Sequence, residues 1–208
     1  MAKGASYVVQ YRRKREAKTN YKGRLDMLKS RTPRLVVRRS NKRMLAQLID
    51  YAEEGDKVLM TTDSNELIAY GWKYSGTNLP AAYLTGYLAG KKALEKGMTG
   101  AVLDIGMQAS VKGSRLYGVL KGAIDSGLKL PAGEKAFPDE KRLSGQHISD
   151  YASKLSKADH DKKFSGYIKA GADPKDMSKA FQEVKEKIAK GPLKAKEPAK
   201  TQPKASKK

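Results

Sequence analysis

The strongest helix signal in the chain is Asn-Leu-Pro-Ala-Ala-Tyr-Leu-Thr-Gly-Tyr-Leu-Ala-Gly, residues 78–90. Asn78 is a favourable N-cap residue, and Pro80 fits the first helical turn because its missing N–H has no helical partner there. The apolar residues continue at helical spacing, so we expect the helix to run to about Lys96, where Gly97 follows. This helix is the element from which the rest of the fold is assigned.

Small residues and a following apolar run indicate what this helix packs on. Ala82, Gly86 and Gly90 recur at every fourth position, and a stripe of small residues predicts that the helix backbone lies close on a sheet. Residues 101–106, Ala-Val-Leu-Asp-Ile-Gly, then form an almost continuous apolar run. Such a run is typical of a strand buried in a sheet that helices cover.

Further strands are expected before the helix. Residues 34–39 have the β-branched centre of a strand, residues 40–42 resemble a turn, and residues 57–62 predict another strand. Residues 44–51 fit a strand, but their apolar positions also fit the helical period, so both alternatives stay open.

Four other segments carry apolar residues at helical spacing. They are a short helix capped by Thr19 or Asn20 that ends near Ser30, a helix from Ser114 to Gly127, and helices over residues 144–155 and 174–188. For the last of these, packing on its own chain and packing on another protein are both possible. Strands first, then helices that alternate with strands, predict an α/β fold: an α+β mixed sheet covered by helices.

The charge of the chain is concentrated at its two ends. The 208 residues include 43 Lys and Arg against 22 Asp and Glu, a net charge of +21. Residues 1–43 account for +13 and residues 190–208 for +6, so the remaining body is nearly neutral. Such a surplus favours a polyanionic partner, either nucleic acid or an anionic membrane surface. No apolar stretch approaches the about 20 residues of a membrane helix, so we expect no membrane-spanning segment.

The two basic ends differ in composition. The N-terminal one interleaves Arg with Tyr7, Tyr11 and Tyr21, which is typical of RNA binding because Arg binds phosphate and Tyr stacks on unpaired bases. The C-terminal one contains Lys, Ala and Pro with almost nothing to bury, so we expect it to be disordered. The predicted domains are a basic RNA-binding arm with a short helix (residues 1–32), a mixed α/β domain (33–155), a helical extension (156–190) and a Lys-rich tail (191–208).

Several catalytic and metal-binding functions are excluded or disfavoured. The absence of Cys excludes disulfides, thiol catalysis and Cys-ligated zinc. Residues 86–92 resemble a phosphate-binding loop, but they lack one residue between the glycines and lie in a helical pattern. Asp63, Asp104 and Asp125 are candidates for a two-metal nuclease site, but only Asp104 lies at the end of a predicted strand. Trp72 is expected to anchor the core or an interface.

Four motifs in order resemble one family. They are Arg-Leu-Val-Val-Arg-Arg-Ser-Asn-Lys (34–42), Tyr-Gly-Trp (70–72), Asn-Leu-Pro-Ala-Ala-Tyr-Leu-Thr-Gly (78–86) and Ala-Val-Leu-Asp-Ile-Gly (101–106). Together they resemble the "protein eighteen" family of the large ribosomal subunit, in its archaeal and eukaryotic form, over roughly residues 5–155. The resemblance implies a mixed α/β fold and a structural RNA-binding protein, not an enzyme, without cofactor or small-molecule substrate.

The resemblance also implies partners and binding residues. Members of the family bind 5S rRNA and help attach it to the large-subunit rRNA in the central protuberance of the cytoplasmic ribosome. A neighbouring 5S-binding ribosomal protein, "protein five" of the large subunit, is implied as the protein partner. The RNA-binding role carries over to Arg12, Arg13, Lys14, Arg15, Lys18, Tyr21, Lys22 and Arg24 of the arm, and to Arg38, Arg39, Asn41 and Lys42 of the strand and turn. Arg115 joins them because it opens a helix, where backbone N–H groups favour phosphate.

One alternative to this function remains. The Lys, Ala and Pro composition of residues 190–208 is also found in chromatin-type proteins that bind nucleic acid generically. Such a protein would bind duplex DNA as well as RNA and would depend on that tail.

Overall fold

A four-stranded sheet lies at the centre of the computed structural model, which describes residue 4 and residues 7–191. The strands are β1 (Arg34–Arg39), β2 (Met44–Asp50), β3 (Lys57–Asp63) and β4 (Val102–Asp104). Their order is β3-β2-β1-β4, with antiparallel β1–β2 and β2–β3 pairs and a parallel β1–β4 pair. The mixed sheet expected from the sequence is confirmed, whereas the predicted tail beyond residue 191 lies outside the described residues.

Along the chain, helices lie before β1, between β3 and β4, and after β4. In the described residues they are α1 (Arg12–Arg15), α2 (Tyr21–Leu28), α3 (Leu79–Glu95), α4 (Arg115–Asp125), α5 (Glu140–Leu143), α6 (Gln146–Lys154), α7 (Lys157–Lys163), α8 (Ser165–Lys169) and α9 (Met177–Ala189). Short 3₁₀ helices occupy Ser64–Tyr70, Glu134–Ala136 and Pro174–Asp176.

Two predicted helix caps are present. The Asn20 side chain accepts a hydrogen bond from the Gly23 N–H at 3.1 Å, and Asn78 accepts one from the Ala81 N–H at 2.8 Å. Each satisfies a backbone donor that the first helical turn leaves unpaired. The helix predicted over residues 144–155 begins slightly later, at Gln146, because Gly145 takes a left-handed φ of 80°.

Residues 44–50 form a strand, so the alternative of a helix there is wrong. Met44, Ala46 and Leu48 are fully buried while Leu45 and Gln47 between them are partly exposed, which is the two-residue alternation of a strand. The strand pairs with β1 on one side and β3 on the other. The predicted turn is also present, with the Ser40 N–H donating to the Arg43 carbonyl at 2.8 Å.

The strand predicted over residues 101–106 is shorter and less buried than expected. β4 spans three residues at the sheet edge, and Val102 and Leu103 are only partly buried. It ends because the Asp104 carboxylate accepts a hydrogen bond from the Gly106 N–H at 2.9 Å, and Gly106 takes a φ of 62°. This local turn leaves residues 105–108 as a loop beside the sheet.

The small residues of α3 face another helix. A Cβ at Gly86 would lie 1.9 Å from the Val119 carbonyl oxygen, and one at Gly122 of α4 would lie 2.1 Å from the Tyr83 carbonyl oxygen. The prediction that the small residues of α3 pack on the sheet was therefore wrong, because these residues pack on α4 instead. Glycines of α4 such as Gly122 allow the two helices to approach this closely. The segment resembling a phosphate loop lies within α3.

Two apolar clusters hold the layers together. One lies between the sheet and the α3–α4 pair and includes Leu35, Val37 and Leu48. The other joins α3 to α9 and includes Trp72 and Phe181. Trp72 is a core anchor, as predicted, and the apolar face of α9 packs on its own chain.

Candidate nucleic-acid interface

The face of the sheet opposite α3 and α4 carries the candidate interface. Successive strand side chains point to opposite faces, so Arg34, Val36 and Arg38 of β1 lie on the side away from Leu35 and Val37. Arg38 is exposed, whereas Arg34 is buried, with only 3% of its surface accessible to solvent. We call this side the open face of the sheet.

Helix α2 lies over the open face and encloses a groove of about 590 Å³. Val36 and Ile49 are each only 6% exposed, although α3 and α4 lie on the other side of the sheet. They line the groove together with Met27 of α2, which shows that the arm covers this part of the sheet. The groove is also bordered by the loop of residues 105–108.

An ion-pair network connects α2 to the sheet beneath it. The Arg24 guanidinium donates two hydrogen bonds to the Asp56 carboxylate, at 2.8 and 2.7 Å. Arg34 donates to the same carboxylate at 2.8 Å and to Asp104 at 2.7 Å. Asp104 in turn accepts from the Gly106 N–H, so the network extends from the arm to the loop that borders the groove.

The hydrogen bonds of this network stabilise the ionised forms of Asp56 and Arg24. Hydrogen bonds from Arg24 lower the pKa of Asp56, with a further contribution from Arg34, against partial burial that raises it. The same contact raises the pKa of Arg24. Both side chains are therefore ionised at neutral pH, and the two-pronged Arg–carboxylate geometry holds α2 in a defined place.

Several predicted RNA-binding residues come together in this groove. It is lined by Arg13, Lys18, Tyr21 and Arg24 from the arm and by Arg38 from β1. Arg13 donates to the Thr19 hydroxyl at 2.9 Å, and Lys18 pairs with Glu16 at 2.8 Å. Arg24 differs from these two because its partner, Asp56, lies outside the arm, whereas Thr19 and Glu16 lie within it.

The other predicted residues lie around the groove or away from it. Exposed side chains that do not line it are Arg12, Lys14, Arg15, Lys22, Arg39, Asn41 and Lys42. Arg115 is placed elsewhere: its guanidinium donates to the Thr77 carbonyl at 2.9 Å and is half-buried at the start of α4. The structure thus gives Arg115 a local contact between α4 and the segment before α3.

Two aromatic rings of the arm are close to each other. The centroids of Tyr11 and Tyr21 are 5.2 Å apart with the ring planes tilted by 47°. Tyr11 is 73% exposed and Tyr21 lines the groove. Exposed aromatic faces beside cations are suited to stacking on unpaired bases.

Some residues of the site were missed by sequence reasoning. The sequence did not single out Asp56, Arg34 or Gln108 as residues of a binding site. The Gln108 amide donates to the Val37 carbonyl at 2.9 Å and the Ile105 carbonyl at 3.2 Å, and so fixes the loop to the sheet. Gln108 and Val37 are 71 residues apart, and Arg34 and Asp56 are 22 apart, so no local pattern in the sequence marks these contacts.

The three aspartates considered for metal binding have separate roles. Asp104 binds Arg34, Asp63 accepts from the Asn65 N–H at 2.9 Å, and Asp125 accepts from the Tyr83 hydroxyl at 2.8 Å. Within residues 7–191, no three His, Asp or Glu side chains are grouped as metal ligands. Over the same part of the chain, no helix is long and apolar enough to cross a bilayer.

Comparisons with known proteins identify the family of the chain. Residues 5–100 match the family described as "Ribosomal large subunit proteins 60S L5, and 50S L18". The chain is 50% identical to the large ribosomal subunit protein uL18 of Korarchaeum cryptofilum, over 91% of this chain and 97% of that protein. It is 45% identical to the uL18 of Methanobrevibacter smithii, over 90% and 97% of the two chains. The chain therefore belongs to the uL18 family of large ribosomal subunit proteins.

Proposed function

We propose that this protein binds 5S rRNA through the groove between α2 and the open face of the sheet. We further propose that it helps attach the 5S rRNA to the large rRNA in the central protuberance. The observation that carries the proposal is the convergence of Arg13, Lys18 and Arg38 with Tyr21 on one groove.

The chemistry of these side chains suits a folded RNA. Arginine binds phosphate oxygens through two parallel hydrogen bonds, and lysine adds a compact positive charge. Tyrosine supplies a face for bases that are not paired within a helix. Phosphate contacts fix the orientation of the RNA, while stacking selects segments whose bases are exposed.

The broader role follows from family membership. As a uL18 protein, the chain is a structural component of the large subunit and not an enzyme, and it works in the cytoplasmic ribosome. Ribosomal RNA and ribosomal proteins are its partners. The family resemblance supports the more specific proposal that protein five of the large subunit, which also binds 5S rRNA, is its neighbour.

A charge-matched pair of variants tests the proposal. One variant carries Arg13→Ala, Lys18→Ala and Arg38→Ala in the groove. The control carries Lys154→Ala, Lys157→Ala and Lys169→Ala, three exposed lysines of α6, α7 and α8. Both lose the same charge, so a difference between them reports position and not total charge.

Affinity for 5S rRNA is measured over a salt series, beside a length-matched RNA and a duplex DNA. We expect the wild type to prefer 5S rRNA, and the groove variant to lose roughly two to three units of the slope of log K against log salt. The control variant should keep most of the slope. Equal losses in both variants would remove the groove from the interface, and equal affinity for all nucleic acids would indicate a generic binder.

A further inference from the structure

We infer that Asp56 is a positioning residue that holds α2 on the sheet, so that the groove exists before RNA arrives. The inference rests on the proposed RNA binding and assigns to the interface a residue whose charge opposes that binding. Asp56 immediately precedes β3, at the end of the connection from β2.

The first step is that Asp56 provides the ionic link between the arm and the sheet. Among the described residues 12–32, the other ion pairs join arm residues to each other: Arg12 and Lys18 with Glu16, and Lys29 with Asp26. Arg24 alone in this segment pairs with a residue of the sheet region. This contact is therefore the ionic restraint on the orientation of α2, in addition to the apolar contact of the arm with the sheet at Val36 and Ile49.

The second step is that Asp56 is itself held in place. Arg34 donates to it at 2.8 Å, and the Arg34 side chain is 3% exposed, so the sheet end of the network is fixed by packing. Arg34 also binds Asp104, whose carboxylate accepts a hydrogen bond from Gly106 in the loop that borders the groove. One network thus connects α2 and this loop, which both border the groove.

The third step is a conflict between two effects of the Asp56 charge. A carboxylate beside an RNA-binding groove repels phosphate, so Coulomb interactions alone predict that its removal tightens binding. A free arm, however, must lose conformational entropy when RNA binds, and this cost lowers the affinity. If Asp56 positions α2, its neutralisation must weaken RNA binding despite the favourable change in charge.

The same conflict distinguishes two roles for Arg24. As a direct phosphate ligand, Arg24 would weaken binding when replaced, while loss of Asp56 would free it and tighten binding. If the two residues act as a tether, replacing either one weakens binding, because both changes break the Arg24–Asp56 contact. The double variant should then bind no more weakly than the weaker-binding single variant.

The experiment uses the full chain and 5S rRNA at one salt concentration. The variants are Arg24→Gln, Asp56→Asn, the double variant, and Asp56→Glu as the conservative rescue. Asp26→Asn is the matched control, because it removes one negative charge as Asp56→Asn does. Asp26, however, lies on the exposed surface of α2 and pairs only within the arm, with Lys29. We expect roughly tenfold weaker binding for each single variant and for the double variant, most of the affinity for Asp56→Glu, and no loss for Asp26→Asn.

Hydrogen exchange of the free variants supplies a readout that does not depend on RNA. In Asp56→Asn and Arg24→Gln, amides of α2 should lose protection while those of β1 keep it. Arg24→Gln leaves the Arg34 network intact, so it tests the tether even if Asp56→Asn destabilises the sheet. Unchanged or tighter RNA binding by Asp56→Asn, with α2 still protected, would overturn the inference. Failure of the wild type to select 5S rRNA would instead overturn the proposed function.

Discussion

Gly86 of α3 lies against Val119 of α4 so closely that a Cβ at the glycine would be 1.9 Å from the valine carbonyl oxygen. Gly122 of α4 approaches the backbone of Tyr83 in the same way, at 2.1 Å. The two helices therefore pack backbone to backbone and form one layer on the sheet. This layer leaves the opposite face of the sheet for the arm.

Replacement of Gly86 by Ala should destabilise the fold, because the new methyl group meets a backbone carbonyl that cannot rotate away. We expect a loss of about 3 kcal/mol in the free energy of unfolding, measured by urea denaturation. Gly166→Ala in α8 is the control, since a Cβ there meets nothing within 4 Å. Equal stability of the two variants would show that α3 and α4 do not approach as described.

Asp104→Asn should destabilise the protein because the buried Arg34 guanidinium loses one of its two carboxylate partners. The expected loss is about 3 kcal/mol, the usual cost of breaking a buried ion pair from one side. Asp139→Asn is a suitable control, because Asp139 is exposed and its side chain makes no cap hydrogen bond. Wild-type stability of Asp104→Asn would contradict the structural role assigned to the network.

Phe181→Ala should lower the free energy of unfolding by about 3–5 kcal/mol, since it leaves a cavity between α9 and α3. The Phe181 ring lies 5.4 Å from that of Tyr83, centroid to centroid. Lys179→Ala, at an exposed position of α9, should be nearly neutral. A separate, early unfolding transition of α9 would show that this helix folds apart from the core.

The docking of α2 should persist in mild acid. Because the pKa of Asp56 is lowered in the folded protein, its contribution is present above the unfolded pKa of about 3.9 and is lost as pH falls through the lower folded value. Amide chemical shifts of α2 should stay constant between about pH 7 and 5 and change only below about pH 4. Release of α2 above about pH 5 would mean that Asp56 does not hold it.

Local signals predicted much of this fold. Asn20 and Asn78 marked two helix starts because a cap depends on neighbouring residues alone. The β-branched centre of β1 and the helical pattern of α3 also depend on neighbouring residues alone, so both elements could be predicted from the sequence. The partner of α3 was predicted incorrectly because a stripe of small residues shows that something lies close, but not whether it is a sheet or a helix.

The interface was less predictable than the fold. The cations of the arm were evident from composition, but their grouping depends on contacts between distant positions. Arg24 and Asp56 are 32 residues apart, and Arg34 and Asp104 are 70 apart. Single-sequence patterns carry no information on such pairs, so the binding of the Arg24 guanidinium to Asp56 was not predicted.

The most direct test of the proposed interface is photochemical cross-linking in the intact large subunit, with the cross-linked peptides identified by mass spectrometry. Our account predicts cross-links between 5S rRNA and residues that line the groove, with Tyr21 foremost among them because an aromatic ring stacked on a base is well placed to react. Cross-links of 5S rRNA confined to α6, α7 and α8, with none from α2 or β1, would contradict it.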